Sequence, residues 1–251
     1  MKSFIMFLSI LTFMFCGCAS HYGEKGLTAR YTHDPLVLDG RLDDPAWRQA
    51  AVYRMQLSRD RQAAGRSLRE GADVRVTWDD EFLYLGICLV DSDITATGER
   101  DQLHHYKFGD LCELFIKPEN QSNYLELYVT PHGKKTSFYI PEVNEQRNGP
   151  VRLDDFVCGL CVAAHIDEGT LNQRNDRDGN WSAEMAIPVV DLERLGGKIV
   201  AGAPWRIFVS RYNHSRFLGT GDNKIEYSMV PPLSQTSYHL VDEYARLHLE
   251  R

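Results

Sequence analysis

Two short stretches carry the side chains best suited to chemistry. In Leu111-Cys112-Glu113-Leu114-Phe115-Ile116 the two-residue period of a strand puts Cys112, Leu114 and Ile116 on one face and turns Glu113 to the other. In residues 124–129, Leu125, Leu127 and Val129 likewise leave Tyr124, Glu126 and Tyr128 together on the opposite face. Carboxylates accept hydrogen bonds from hydroxyls, and flat phenol rings stack on sugar faces. This face therefore has the chemistry of a surface for polyhydroxylated ligands. The same carboxylates admit a catalytic reading. On adjacent strands Glu113 and Glu126 would stand roughly 5 Å apart, the separation of a retaining glycosidase pair.

The elements that must position these residues read as consecutive strands over residues 73–133. Val74, Val76 and Trp78 alternate with Arg75 and Thr77, Asp79-Asp80-Glu81 interrupts, and an apolar run resumes at Phe82, which is the pattern of a hairpin. Upstream, Asp44-Pro45-Ala46-Trp47 predicts a short helix capped by Asp44, with Pro45 at its first position and Trp47 folded back on the sheet as a buried wedge. Residues 58–71 form a polar, arginine-rich loop of no evident purpose. His104 and His105 are read as part of a solvated loop, because sequence neighbours rarely converge on one metal ion without a third ligand. Tyr106 and Phe108 are placed to overhang the Glu113 face. Asp176 and Asp178 offer oxygens of the kind calcium takes, but their spacing is not that of a helix-flanked calcium loop, so a solvated turn is expected. Trp181, Ala183, Met185 and Ile187 share one side of a strand, with Glu184 on the other. With further strands at residues 52–57, 160–166, 204–211, 225–230 and 246–249, the expected fold is all-β. It is an antiparallel, jelly-roll-like β-sandwich with one or two short helices.

At 251 residues, 43% hydrophobic and 25% charged, the chain can build one well-cored domain. Its 35 acidic against 28 basic residues give a formal charge of -7 and no electrostatic footprint for nucleic acid. Lys2 and the apolar residues 4–15, ending in Phe15-Cys16-Gly17-Cys18, resemble a bacterial lipoprotein signal. Residues 1–18 are therefore expected to be a signal ending at the lipidation residue Cys18, residues 19–27 a tether, and residues 28–251 the domain. Ala19 after that cysteine favours the outer membrane, so the expected location is the bacterial cell envelope, reached by export. Export permits disulfides. Cys88 and Cys112 read as core residues that can bridge if their strands are neighbours. Cys158-Gly159-Leu160-Cys161 lacks the histidine of a haem attachment motif and the second pair of a zinc site.

Several stretches together resemble the family 9 carbohydrate-binding modules. They begin with Leu38-Asp39-Gly40 and Asp44-Pro45-Ala46-Trp47, then Val74-Arg75-Val76-Thr77-Trp78-Asp79-Asp80 with Leu83-Tyr84-Leu85, then Gly109-Asp110-Leu111-Cys112-Glu113-Leu114-Phe115. Tyr124-Leu125-Glu126-Leu127 with Pro131-His132-Gly133, Gly169-Thr170-Leu171-Asn172, Trp181-Ser182-Ala183-Glu184 with Ile187-Pro188, and Tyr238-His239 follow in the same order. The resemblance spans residues 28–249. It implies a β-sandwich without catalytic machinery that grips a sugar, often at a reducing end, between two aromatic rings beside a carboxylate. The carboxylate falls on Glu113 and the second ring on Tyr238, where the best-known members have Trp. Gln235 takes a polar contact and Tyr128 replaces a basic one. The first ring position falls on Lys107, flanked by Tyr106 and Phe108. Calcium is a cofactor on the resemblance alone, with its ligands unassigned.

The function this implies is a non-catalytic, lipid-anchored protein that holds oligo- or polysaccharides at the envelope for other proteins, such as glycoside hydrolases, to degrade. Three readings stand beside it: a hydrolase using Glu113 and Glu126, a haem-carrying electron-transfer domain with Met229, His104 or His239 as an axial ligand, and a structural sandwich bridging envelope proteins.

Overall fold

A computed structural model describes residues 26–144, 149–150, 158–219 and 225–251. The signal, Cys18 and nearly all of the tether lie outside the described residues. The strands are β1 (Leu27–Tyr31), β2 (Tyr53–Arg54), β3 (Ala72–Trp78), β4 (Phe82–Val90), β5 (Leu111–Pro118), β6 (Tyr124–Val129) and β7 (Lys135–Ile140). They continue with β8 (Val143–Asn144), β9 (Gly149–Pro150), β10 (Cys161–Glu168), β11 (Asn180–Pro188), β12 (Trp205–His214), β13 (Ile225–Val230) and β14 (Ala245–Glu250). Short helices α1 (Pro45–Gln49), α2 (Arg59–Ala63) and α3 (Val189–Glu193) interrupt them, so α2 forms inside the stretch expected to be a loop.

Twelve strands form one hydrogen-bonded sheet in the order β10-β11-β4-β3-β1-β14-β12-β5-β6-β7, with β2 beside β3 and β13 beside β12. The expected β3–β4 hairpin is present, and Asp79 closes it by accepting the amide hydrogens of Glu81 and Phe82 at 2.8 and 2.7 Å. The antiparallel expectation fails at β1, which runs parallel to both β3 and β14. No turn links β1 to either partner, so local sequence does not set its direction. The inner faces of both halves share one core, in which Val74, Leu85 and Met185 are buried with Leu114, Leu127 and Val209.

Trp47 is the buried wedge expected, and the structure shows what fastens it. Its indole N–H donates to Glu184 Oε1 at 2.8 Å, while the Asp39 and Gly40 amides donate to Oε2 at 3.0 and 2.8 Å. Burial pushes the Glu184 carboxyl above its ordinary pKa, and these three donors pull it back. Gly40 has φ +86°, and a Cβ there would stand 2.4 Å from the Ala164 backbone, so the Leu38-Asp39-Gly40 motif is architectural. Asp44 makes no side-chain cap. It accepts the Val37 amide instead.

Two further expectations are corrected. His105 is not solvated: it is 1% exposed, with Nδ1 at 2.8 Å from Thr136 Oγ1 and Nε2 at 3.0 Å from the Arg100 carbonyl. Burial holds its pKa below the ordinary value. Cys112 is core but Cys88 is only half-buried and outside it, and the condition for a bridge is not met, since β4 pairs with β3 and β11 whereas β5 pairs with β12 and β6, and both thiols are free.

Candidate functional site

Glu113, Phe115, Tyr124, Glu126 and Tyr128 do lie on the face turned from the main core, but that face is not open. Phe115, Tyr124 and Tyr128 join Phe208, Met229, Leu233, Tyr238 and Tyr244 in a second apolar layer. Residues 231–244 supply much of its cover. Phe208 and Tyr244 stack with centroids 5.2 Å apart, and the Tyr244 hydroxyl donates to the Tyr238 carbonyl at 2.6 Å. Glu113 is 1% exposed and accepts the Ser210 hydroxyl at 2.8 Å. Glu126 is equally buried and accepts the Tyr128 hydroxyl. In register Glu113 faces Tyr128 while Phe115 faces Glu126, so the two carboxylates are diagonal and sealed beneath rings. Substrate has no access to them, which removes the basis of the hydrolase reading.

One cleft at the edge of this layer, of about 410 Å³, is lined by Arg61, Tyr212, Tyr227, Thr236, Ser237, Tyr238 and His239. Tyr212 and Tyr227 are cross-strand partners on β12 and β13, with rings edge to face at 5.0 Å. Tyr238 meets Tyr212 edge to face at 5.5 Å. Arg61, on α2, holds its guanidinium 5.7 Å from the Tyr227 ring centroid. Burial raises the pKa of Tyr212, Tyr227 and Tyr238, and the charge of Glu113 beneath raises all three further, so the phenols stay neutral donors. The Tyr238 hydroxyl is buried with no hydrogen-bond partner among the described residues.

The expected site residues scatter around this cleft. Tyr238 forms a wall, Glu113 lies below, and Tyr106 sits beside Tyr212 with centroids 5.9 Å apart. Gln235 is exposed on the same covering segment, where its carbonyl accepts the Ser237 amide at 2.8 Å. Phe108 is 40% exposed and does not join the aromatic layer. Tyr128 is fully buried and packs edge-on against Phe138, out of a ligand's reach. Arg61, Tyr212, Tyr227 and Thr236 were not anticipated. Tyr212 and Tyr227 do alternate outward from apolar strand positions, but nothing local announces Arg61.

A larger cleft, about 640 Å³, lies elsewhere, between the Arg41–Asp43 loop and the faces of β3, β4 and β11. Its lining includes Arg54, Asp73, Arg75 and Asp167 but no aromatic ring, so it has nothing on which a sugar face stacks. Among the described residues no three His, Cys, Asp or Glu side chains converge to hold a metal ion. Three buried carboxylates are engaged otherwise, whereas Asp176 Oδ1 is buried with no hydrogen-bond partner among the described residues. Asp178 accepts the Ile94 and Thr170 amides, Asp110 those of Thr95 and His214, and Asp91 pairs with Arg211 at 3.1 Å. The ligands of calcium stay unassigned among the described residues. Nor do the haem candidates present themselves: Met229 is core, with its sulfur accepting the Leu233 amide, His239 Nδ1 lies 2.7 Å from the Tyr124 hydroxyl, and His104 stacks on Phe138.

The sequence profile of the family described as "Carbohydrate family 9 binding domain-like" matches residues 38–202. No curated protein matches the sequence. Among solved structures, a candidate carbohydrate-binding protein from Bacteroides uniformis ATCC 8492 aligns with TM-score 0.69 at 13% identity, covering 90% of this chain and 99% of that one. A family 9 carbohydrate-binding module from Caldicellulosiruptor kristjanssonii in complex with cellotriose aligns with TM-score 0.54 at 14% identity, covering 89% and 93%. A second structure of such a module from that organism, in complex with glucose, gives 0.53 at 11%, covering 89% and 96%.

Proposed function

The chain belongs to the carbohydrate family 9 binding domain-like family, and from that premise we propose that it binds glycans in the cleft walled by Tyr212, Tyr227 and Tyr238. The observation that carries the reading is the convergence of three neutral phenols, with Arg61 and Thr236, on one open cleft. Rings offer stacking area, and hydroxyl and guanidinium groups offer hydrogen bonds to sugar hydroxyls. The role is binding without catalysis. It is supported by the family and by the sealing of Glu113 and Glu126. The curled sheet acts as a two-layer sandwich, a reading supported by the core its halves share. We further propose that the protein is exported as a lipoprotein through Cys18 and held at the cell envelope, where it presents glycans to glycoside hydrolases. The order of charge, apolar run and cysteine at the amino terminus supports that placement. Calcium enters only as a variable of the assay.

The test is a glycan-array screen of the domain with and without calcium, followed by titration of the best ligand. Cellotriose and glucose belong in the first panel, since both occupy the Caldicellulosiruptor modules. Tyr227→Ala is expected to weaken binding by about 1 to 3 kcal/mol through lost ring area. Unchanged affinity in that variant would remove the cleft from consideration.

A further inference from the structure

The arginine-rich stretch at residues 58–71 leads from the tyrosine cleft into a second one. Arg61 lines both. The neighbouring cleft, about 310 Å³, is walled also by Leu57, Arg66, Arg69, Leu218 and Glu226. Among the described residues that line it, three guanidinium groups stand with one carboxylate, and that carboxylate is already held. The two oxygens of Glu226 accept the backbone amides of Arg69 and Glu70, each at 3.0 Å. Arg69 donates to the Leu218 carbonyl, a neutral acceptor. The fourth arginine of the stretch, Arg59, is spent on Glu243 at 2.8 Å. Neither Arg61 nor Arg66 makes an ion pair with a described residue. In a chain of formal charge -7 this is a local positive excess set directly beside a ring-lined cleft.

We propose that the two clefts form one site for an acidic sugar, in which Tyr212, Tyr227 and Tyr238 take the sugar ring while Arg61, Arg66 and Arg69 take a carboxylate or sulfate it carries. The inference rests on the glycan-binding reading and adds the class of glycan. A guanidinium fork matches the paired oxygens of either anion, so one anionic substituent can use two donors at once. A neutral sugar leaves the same arginines in water. An extended nucleic acid fits less well, because its unbroken phosphate charge would run beyond this small patch in a chain of formal charge -7.

The experiment measures binding of the chain to neutral polymers (a β-glucan, a galactan), uronate polymers (polygalacturonate, alginate) and a sulfated one (chondroitin sulfate). Polyglutamate and a single-stranded oligonucleotide serve as charge controls. A uronate or sulfated glycan is expected to bind about tenfold tighter than the neutral ones at low salt, and the gap is expected to close as salt screens the arginines. Which acidic polymers bind distinguishes carboxylate from sulfate. Arg66→Gln, at an exposed position, should lower acidic-glycan binding by about fivefold and leave any neutral binding and the thermal midpoint unchanged. Tyr227→Ala should lower both. Equal binding of neutral and acidic glycans would overturn the inference while the glycan reading stands. Silence across all the glycans would overturn both. Equal or tighter binding of polyglutamate or the oligonucleotide would show charge attraction without sugar recognition, and indifference to Arg66→Gln would remove the basic cleft from the site.

Discussion

At Tyr238 a phenol hydroxyl is buried in the cleft wall with no partner among the described residues, at a residue only 7% exposed. An unsatisfied buried donor costs roughly 1 to 3 kcal/mol, so a fold would not keep it for stability alone. Tyr238→Phe is therefore expected to leave the thermal midpoint unchanged or slightly raised while weakening glycan binding by about 1 kcal/mol. A lower midpoint with unchanged affinity would assign the hydroxyl to the fold. His214 obeys the same logic with a titrating group. Its Nε2 is buried with no partner among the described residues, and burial lowers its pKa from 6.5, against a hydrogen bond with the Tyr106 backbone that raises it. The unfolded chain takes up this proton near pH 6.5 and the folded chain only at lower pH. The stability contributed by neutral His214 is thus complete above that value and is lost as pH falls below it. Urea midpoints should fall between about pH 7.5 and 5.5, and less so in His214→Asn, which keeps a donor without the titration.

At the scale of elements, the cleft depends on how residues 231–244 are held over the aromatic layer. Glu243 is the clasp. It accepts the Ser234 amide and hydroxyl, each at 2.6 Å, and pairs with Arg59 at the start of α2. The Arg59 and Asp60 amides donate in turn to the Leu233 and Ser234 carbonyls at 2.8 and 3.1 Å. Because Thr236 and Tyr238 ride on this segment and Arg61 on α2, loosening the clasp should disturb both walls of the cleft. Glu243→Ala is expected to cost about 1 to 3 kcal/mol of stability, to weaken glycan binding, and to speed amide exchange over residues 231–244. Arg59→Ala should cost less, under about 1 kcal/mol, because the Arg59 side chain is 60% exposed and its charge is screened.

Across the whole molecule, β1 is the strand through which one half of the sheet continues into the other. It pairs with β3 on one side and β14 on the other, and it places Leu27 and Ala29, both fully buried, in the common core. Removing it would leave two unpaired edges and a cavity. A chain beginning at Thr32 is expected to be less stable than one beginning at Gly26 by roughly 4 kcal/mol or more, which is about 10 °C or more in the thermal midpoint at this size. Equal midpoints would show that core packing alone holds the halves together.

The strands and their inner faces were legible in the sequence. Val74, Val76 and Trp78, then Leu114 and Ile116, then Trp181, Ala183 and Met185 alternate with period two, and that period decides which side of a strand a residue occupies. The wedge at Trp47 was legible for a similar reason, since Pro45 can open a helix that turns a large ring inward. Alternation also turned Glu113, Tyr124 and Tyr128 away from the main core, as they are. It could not say what covers the far face, and Phe208, Met229, Leu233 and Tyr244 arrive there from about a hundred residues further along the chain. The carried-over ring at Tyr238 does stand at the cleft, and Tyr106 stands near it, but Tyr128 is sealed away. Arg61, Tyr212 and Tyr227 meet only because β12 and β13 pair in one register and α2 docks on residues 233–234. The sequence by itself determined most of the strands, though not β7, together with their buried faces and the family. The tertiary structure alone decided which polar side chains reach solvent, because burial of a strand's second face depends on contacts between distant segments and not on any local period.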